Sequence, residues 1–328
     1  MRLAFELSGE SETIPRAEVL ALYKGCVVQD LERVLVLDVE SYDRAIGERL
    51  AMTHAILAVK STCAQTLDSI YNAAQHIEFP RVSVAVRAKR IGRGLQSTEV
   101  EATIGKALAE RGYEINLTAP HLVVRALLSG DICIIGTTLA LIDRSHFESR
   151  RPRVRPFFYP GVLLPRLARA AVNLTQIRRR ERLLDPFCGT GGILLEAGLL
   201  GAEPVGSDVD SRMVFGTKMN LEYYDVSGEL LVQDARQLAL RDESVDAVVT
   251  DLPYGRSVSV RARSLDQLKA AALIELFRVL KRDGRAALIS HSAVENEVKD
   301  AGFAIEGRHT EYVHKSLSRE IVVAHKRN

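Results

Sequence analysis

The chain of 328 residues is 47% apolar and 26% charged, the balance of a soluble globular protein with room for two or three separate cores. No apolar run reaches the ~18 residues of a membrane helix, and the acidic start, Met1 to Glu10, is unlike a signal peptide. A membrane protein is excluded on this reading and a cytoplasmic location expected. The formal net charge of +2 averages over segments of opposite sign.

Residues 1–50 carry ten acids against six bases, and within them 33–39 alternate like a half-buried strand. The apolar stretch 55–59 precedes a helical pattern over 62–76. Residues 81–88 predict a strand with valines on one face. It lies in a segment, 81–93, that has Arg81, Arg87, Lys89, Arg90 and Arg93 and no acid. Ser97-Thr-Glu-Val-Glu101 is a capping pattern that opens a helix running to Gly112. Two β-rich runs, 121–128 and 132–138, are joined by Ser129-Gly130-Asp131, a hairpin signal. The four cysteines, Cys26, Cys63, Cys133 and Cys188, form no C-x-x-C pair. Reduced, mostly buried thiols are expected, and no metal site.

Residues 144–182 contain eleven arginines, no lysine and two acids. The guanidinium fork pairs bidentately with phosphate oxygens, so Arg150, Arg151, Arg153 and Arg155, with Arg87, Lys89 and Arg90, are candidate contacts to a polyanion. A merely solvated linker is the alternative. Three prolines in 150–160 exclude regular helix or central strand there, and 144–160 reads as a linker. Apolar residues at helical spacing follow over 161–174. Strands at 182–185, 204–208, 230–233, 245–250 and 285–290 then alternate with helices at 192–200, 211–223, 264–281 and 292–301. Extended runs at 303–313 and 319–325 close the chain. This predicts an α/β domain with a doubly wound, mostly parallel sheet, finished by a hairpin with one antiparallel strand.

In such sheets ligands sit beyond the carboxyl ends of the strands. Asp185-Pro-Phe-Cys-Gly-Thr-Gly-Gly192 occupies the first such end, and its glycines allow a sharp turn close to a ligand. The spacing is G-x-G-G, with Leu194 where a dinucleotide fingerprint has its third glycine, so nicotinamide dinucleotide stays open at this point. Asp208 ends the next strand, placed to accept ribose hydroxyls, with Asp210 the expected helix cap. The buried run 245–250 delivers Asp251-Leu-Pro-Tyr-Gly255 to the same edge. An exocyclic amino group is a poor nucleophile because its lone pair is delocalised into the ring. Asp251 and the Leu252 carbonyl supply acceptors for its two N–H groups, Pro253 biases Leu252 toward an extended conformation, and Tyr254 offers a face for a flipped base.

These motifs resemble the S-adenosylmethionine-dependent amino-methyltransferases of nucleic acid bases. The resemblance implies a seven-stranded Rossmann-like domain in which Asp185, Phe187, Gly189, Gly191 and Gly192 hold the methionine portion of the donor. Asp208 would take the ribose, Asp234 the adenine amino group, and Asp251, Leu252, Pro253 and Tyr254 the catalysis. The family pattern is [Asn/Asp]-Pro-Pro-[Tyr/Phe], and this chain has Leu252 at the first proline. The element order over about 50–140 resembles the THUMP domain, an RNA-binding module of tRNA-modifying enzymes. The expected domains are thus an α/β subdomain over 1–50, a THUMP-like α+β domain over 51–143, the linker over 144–160 and the methyltransferase over 161–328. Together these resemble the archaeal tRNA guanosine-10 N2-methyltransferase family. That implies tRNA as partner, one or two methyl groups placed on guanosine N2, and in some members a small zinc-binding activator protein. Alternatives are a sister enzyme acting on another tRNA or rRNA guanosine, and an RNA-binding protein whose methyltransferase domain is degenerate at Leu252.

Overall fold

A computed structural model describes residues 1–254, 265–314 and 317–327. The chain forms two compact units: Met1–Gly9, Tyr23–Glu48 and Met52–Asp143 make the first, and Glu10–Leu22, Arg49–Ala51 and Arg144–Asn328 the second. Gly255 of the Asp-Leu-Pro-Tyr-Gly motif lies outside the described residues. Among the described residues no helix is long and apolar enough to cross a membrane, and no cluster of side chains could hold a metal ion.

The first unit is built on seven strands, β1 (Arg2–Leu7), β2 (Gly25–Leu31), β3 (Val34–Val39), β4 (Thr53–Ala64), β5 (Val84–Ile91), β6 (Leu122–Ser129) and β7 (Ile132–Leu141). Their order is β2-β3-β1-β4-β7-β6-β5, antiparallel except where edge strand β5 runs parallel to β6. Because β1 pairs with both β3 and β4, residues 1–50 and 51–143 share one sheet, and the expected boundary at residue 50 is not a break in the structure. Two helices, α3 (Leu67–His76) and α4 (Ser97–Glu110), bury Ile70, Ala74, Val100, Ile104 and Leu108 with Val84, Val86, Val124 and Ile135 of the strands. The helix expected from residue 62 starts at 67, because β4 runs on to Ala64 in register with Ile132 of β7 and Thr66 supplies the cap. The cap of α4 falls on Gln96, one residue before the expected position, where the Glu99 carboxylate accepts the Gln96 amide at 3.0 Å.

The second unit begins with helix α1 (Ile14–Leu22), borrowed from the N-terminal region. Its buried Glu18 accepts from the Ala51 amide at 2.9 Å and from Asn173 Nδ2 at 2.8 Å. Asn173 lies on α5 (Pro165–Leu174); the short helix α2 (Arg44–Arg49) ends on Arg49, whose guanidinium reaches the Asn173 side chain and the Ile177 carbonyl. The sheet comprises β8 (Arg182–Asp185), β9 (Glu203–Asp208), β10 (Glu229–Val232), β11 (Val245–Asp251), β12 (Leu280–Ser290), β13 (Ala304–His314) and β14 (Leu317–His325). Their order is β10-β9-β8-β11-β12-β14-β13. β8 to β12 are parallel and β14 is antiparallel to both its neighbours, as the alternation predicts. Helices α6 (Gly192–Leu199), α7 (Ser211–Tyr223), α8 (Leu265–Val279) and α9 (Glu295–Asp300) form the connections. The core joins Leu184, Val248, Leu252 and Leu288 of the strands and their ends to Leu273, Leu276 and Val298 of the helices.

The arginine-rich stretch is not a free linker. Short 3₁₀ turns at Ser145–Arg150 and Pro152–Val154 fold it into the second unit. Arg150 Nε and Arg169 Nη2 each lie 2.8 Å from a carboxylate oxygen of Glu196, which is 0% exposed on α6. Arg150 also lies over the Phe147 ring. Arg155 is buried as well, its Nε donating to the Arg150 carbonyl at 3.0 Å. Arg150 and Arg155 are therefore withdrawn as phosphate contacts, since a guanidinium sealed inside the domain cannot reach a polyanion. Arg151 and Arg153 remain exposed. Removing one member of a buried ion cluster strands the others without compensation, at a cost of about 3–5 kcal/mol. Glu196→Ala is expected to lose stability on that scale in chemical denaturation, whereas Arg153→Ala changes it by less than about 0.5 kcal/mol.

Candidate active site

Three adjacent parallel strands, β9, β8 and β11, end in carboxylates: Asp208, Asp185 and Asp251. The chain leaves β8 toward β9 on one side and has β11 on the other, so their carboxyl ends flank the switch point where a crevice opens. A cavity of about 760 Å³ lies there, lined by Asp185 to Thr190, Gly192, Asp208, Asp234 and Asp251 to Tyr254 among others.

Asp185 is buried and accepts from Thr250 Oγ1 at 2.7 Å and from the Phe187 amide at 3.2 Å. Burial outweighs those bonds and pushes its carboxyl up to about 7. Asp208 accepts the Gly189 amide on one oxygen at 3.1 Å and the Asp210 amide on the other at 2.9 Å. Burial raises its carboxyl also, and these amides pull it back. Asp208 thus ties the glycine turn to β9 while lining the cavity, and Asp210 caps α7 through the Arg212 amide, as expected. Gly191 does not line the cavity. It is the left-handed N-cap of α6, with φ 77°, and a Cβ there would stand 2.7 Å from Thr217 Cγ2, so its role is to let the turn pack on α7. The close approach of helix to strand is made at Gly206, where a Cβ would stand 2.3 Å from Leu194 Cδ1. The glycine that permits this contact is on the strand, so Leu194 fills the place of the dinucleotide fingerprint's third glycine.

Asp234 lines the cavity, but both its oxygens are engaged by Arg236 at 2.6–3.1 Å, which holds its carboxyl below the usual range. An adenine amino group there would share the carboxylate with that arginine. The volume, the glycine turn and the carboxylate beside it suit a nucleoside-bearing ligand such as S-adenosylmethionine.

Asp251 Oδ1 is buried without a hydrogen-bond partner among the described residues. Desolvation pushes this carboxyl up to about 7 as well, against the pull of Arg319. The Leu252 amide, a donor that the family's proline would lack, bonds the Ile289 carbonyl at 2.8 Å. Its side chain is 0% exposed in the core. The rigidity a proline ring would supply comes here from packing and that bond, so Leu252 is no sign of degeneration. The Tyr254 hydroxyl donates to the Gly161 carbonyl at 3.3 Å, and His291 backs its ring with 3.7 Å between centroids.

Two sets of residues escaped the sequence reading. Tyr159 to Leu163, assigned to the linker and the start of the next helix, form a wall of the cavity. Asn220 holds the preceding Phe157 through both its backbone groups, at 2.8 and 2.9 Å, and also accepts no solvent, being 0% exposed. Its Nδ2 reaches the Thr190 carbonyl, while Thr217 Oγ1 donates to the Gly189 carbonyl at 2.8 Å. The available signal was Thr217 and Asn220 themselves, two polar residues three apart on one face of α7. In the first unit, Arg87, Lys89 and Arg90 are exposed on edge strand β5, where Arg87 also donates to the Leu117 carbonyl.

The UPF0020 family, RMKL-like methyltransferase domain, matches residues 152–321. The match starts inside the supposed linker, in keeping with its place in the second unit. The chain is 37% identical to a tRNA (guanine(10)-N2)-dimethyltransferase of Methanothermobacter thermautotrophicus, over 98% of this chain and 99% of that protein. It is 31% identical to the protein of the same name from Methanocaldococcus jannaschii, with the same coverage. The crystal structure of TrmN from Thermus thermophilus shares the fold, with a TM-score of 0.58 at 23% identity, covering 99% of this chain and 100% of that one.

The site separates two kinds of carboxylate. Asp208→Ala is expected to weaken binding of S-adenosylmethionine, losing charge-assisted hydrogen bonds worth about 1.5–3 kcal/mol. Asp251→Ala is expected to keep donor affinity within a few fold and lose turnover. Calorimetric titration of both variants checks this; equal losses of affinity would contradict the division.

Proposed function

The chain belongs to the RMKL-like methyltransferase family, with tRNA (guanine(10)-N2)-dimethyltransferases among its relatives, and from that premise we propose that it methylates the N2 of guanosine 10 in tRNA. The observation that carries the reading is the buried Asp251 Oδ1, unpartnered among the described residues, in the wall of the cavity with Leu252 and Tyr254. It is an S-adenosylmethionine-dependent enzyme, and the bound donor supplies a methyl group on a sulfonium.

The protein's own part is to hold the base. Asp251 Oδ1 accepts one N2–H and the Leu252 carbonyl the other, which turns the nitrogen lone pair out of conjugation and toward the methyl group. Tyr254, backed by His291, gives the base a face to stack on. Holding nucleophile and methyl group in line supplies much of the rate. A carboxyl near pH 7 is matched to taking the proton that the amine sheds.

The first unit is read as the THUMP-like RNA-binding part, supported by the basic, exposed edge of β5. Arg151 and Arg153 are the exposed basic candidates on the second unit. A cytoplasmic site of action fits a tRNA substrate. A small zinc-binding activator protein belongs to the same proposal. The exposed row Phe215, Met219 and Tyr223 on α7 is apolar surface of the catalytic unit that it would cover, and co-elution of the co-expressed pair tests it.

Incubation of tRNA transcripts with labelled donor, followed by mass spectrometry of the digested product, is expected to give N2-methyl- or N2,N2-dimethylguanosine, lost when guanosine 10 is replaced. Label in any other nucleoside would overturn the reading. Each phosphate contact removed lowers the log–log salt slope of tRNA binding by about 0.7–0.9. Arg87→Ser, Lys89→Ser, Arg90→Ser, Arg151→Ser and Arg153→Ser are expected to flatten it in steps without changing donor affinity.

A further inference from the structure

A cluster of charged side chains that the reaction scheme leaves unused stands behind Asp251. Asp251 ends β11 in register with Ile289 of β12, which in turn faces Ile321 of β14. One turn of the pleat further out, at the start of β14, Arg319 faces Glu311 of β13. Arg319 is 7% exposed. Its Nη1 lies 3.4 Å from Glu311 Oε2, and its Nε has no hydrogen-bond partner among the described residues. Side chains two apart on a strand share a face, so the register sets Arg319 on the same face of the sheet as Asp251, two strands away. The ion partner of Arg319 is Glu311, and Asp251 feels the charge of both, in opposite senses.

We propose that Arg319 is a positioning residue for methyl transfer: acting through Asp251, it keeps that carboxylate ionised and its Oδ1 free for the amino group, and so sets the acid limit of the reaction. The inference rests on the function proposed above. Its physical sense lies in the lack of a direct bond. Among the described residues no ion pair joins Arg319 to Asp251. A guanidinium hydrogen-bonded to Oδ1 would neutralise the carboxylate and consume the acceptor that the base requires. A cation set further back favours the ionised form through the low-dielectric interior and leaves the lone pairs exposed to substrate.

Other groups share the neighbourhood. Asp185 on β8 feels the charge of Asp251. His291, after β12, is held below its usual range by burial and by Arg319, with Lys269 of α8 adding to the effect. Lys269 Nζ itself donates to Ser292 Oγ at 2.9 Å. Glu311 is raised by burial, with Arg319 opposing and Glu10 adding to the rise. His291 is the other titratable side chain against the Tyr254 ring and has its own control.

The test is the pH dependence of single-turnover methyl transfer to tRNA at saturating donor. Wild type should lose activity as pH falls through about 7, where Asp251 takes up a proton. Arg319→Gln removes the stabilising cation, so the acid limb should move up by about 1 pH unit, with Arg319→Lys restoring it. Glu311→Gln removes an opposing anion and should move the limb down. Opposite displacements from two charge-removing variants of one ion pair cannot come from a loosened β13–β14 hairpin, which would depress the rate at every pH. His291→Asn should keep the limb. A limb that stays fixed in Arg319→Gln, or disappears in His291→Asn, would overturn the proposal. A carbon-13 titration of the Asp251 carboxyl in the donor-free wild type and Arg319→Gln protein reads the same coupling without substrate. If that titration shifts but no tRNA is methylated, the proposed function falls and the coupling stands; if it does not shift, the coupling falls.

Discussion

The catalytic unit depends on placing carboxylates where water is scarce at the carboxyl edge of a parallel sheet. Asp208, Asp185 and Asp251 end neighbouring strands, and burial raises the carboxyl of each. They differ in what answers that cost. Asp208 is satisfied by two backbone amides, Asp185 by Thr250 and an amide, and Asp251 Oδ1 by nothing among the described residues. The first two line the cavity with bonds already made, and in the proposed function they shape the donor cradle. In the proposed function the third is completed by the substrate's amino group, which offsets the cost of a buried acceptor without a partner. The surrounding charges, Arg319 above all, make sense as the means of keeping it ionised.

Most of the second unit was legible because hydrophobic periodicity and strand-end motifs agreed. β8 and α7 fall on their predicted residues, and β9, β10, β11 and α6 within a residue or two. α8 ends at Val279, and β12 starts at Leu280 rather than at the expected 285, because Leu280 pairs with Val245 ahead of a register shift. That irregularity has no local signature. In the first unit the sheet brings β1 to β3 beside β4, a long-range pairing that no spacing within 1–50 could announce. For the same reason α1 could not be seen to serve the second unit: its buried Glu18 is recognisable as structural only once Asn173, far along the chain, is beside it.

The arginine-rich stretch shows where composition misleads. Charge density pointed to a polyanion for Arg150, Arg151, Arg153 and Arg155 alike. The fold divides them, because Glu196 on the apolar helix α6 draws Arg150 and Arg169 inward, and Arg155 follows onto the Arg150 carbonyl. A lone glutamate in the run Gly-Gly-Ile-Leu-Leu-Glu-Ala-Gly was the available sign, since an acid among so many buried residues demands a cation. The same stretch then continues as Tyr159 to Leu163 into the wall of the cavity. Those residues read as a connection between domains because prolines interrupt them, yet Pro160 is itself part of the wall.

The account's central claim is a division of labour along one sheet edge, with the donor on Asp208 and the glycine turn, and the base on Asp251, Leu252 and Tyr254. A crystal structure of the protein with S-adenosylhomocysteine measures this most directly. The account predicts the ribose hydroxyls on the Asp208 carboxylate, the sulfur turned toward Asp251 and Tyr254, and Asp251 Oδ1 still free of any bond to the ligand. A ligand bound the other way round, with its ribose on Asp251 or its sulfur facing away from Tyr254, would contradict it.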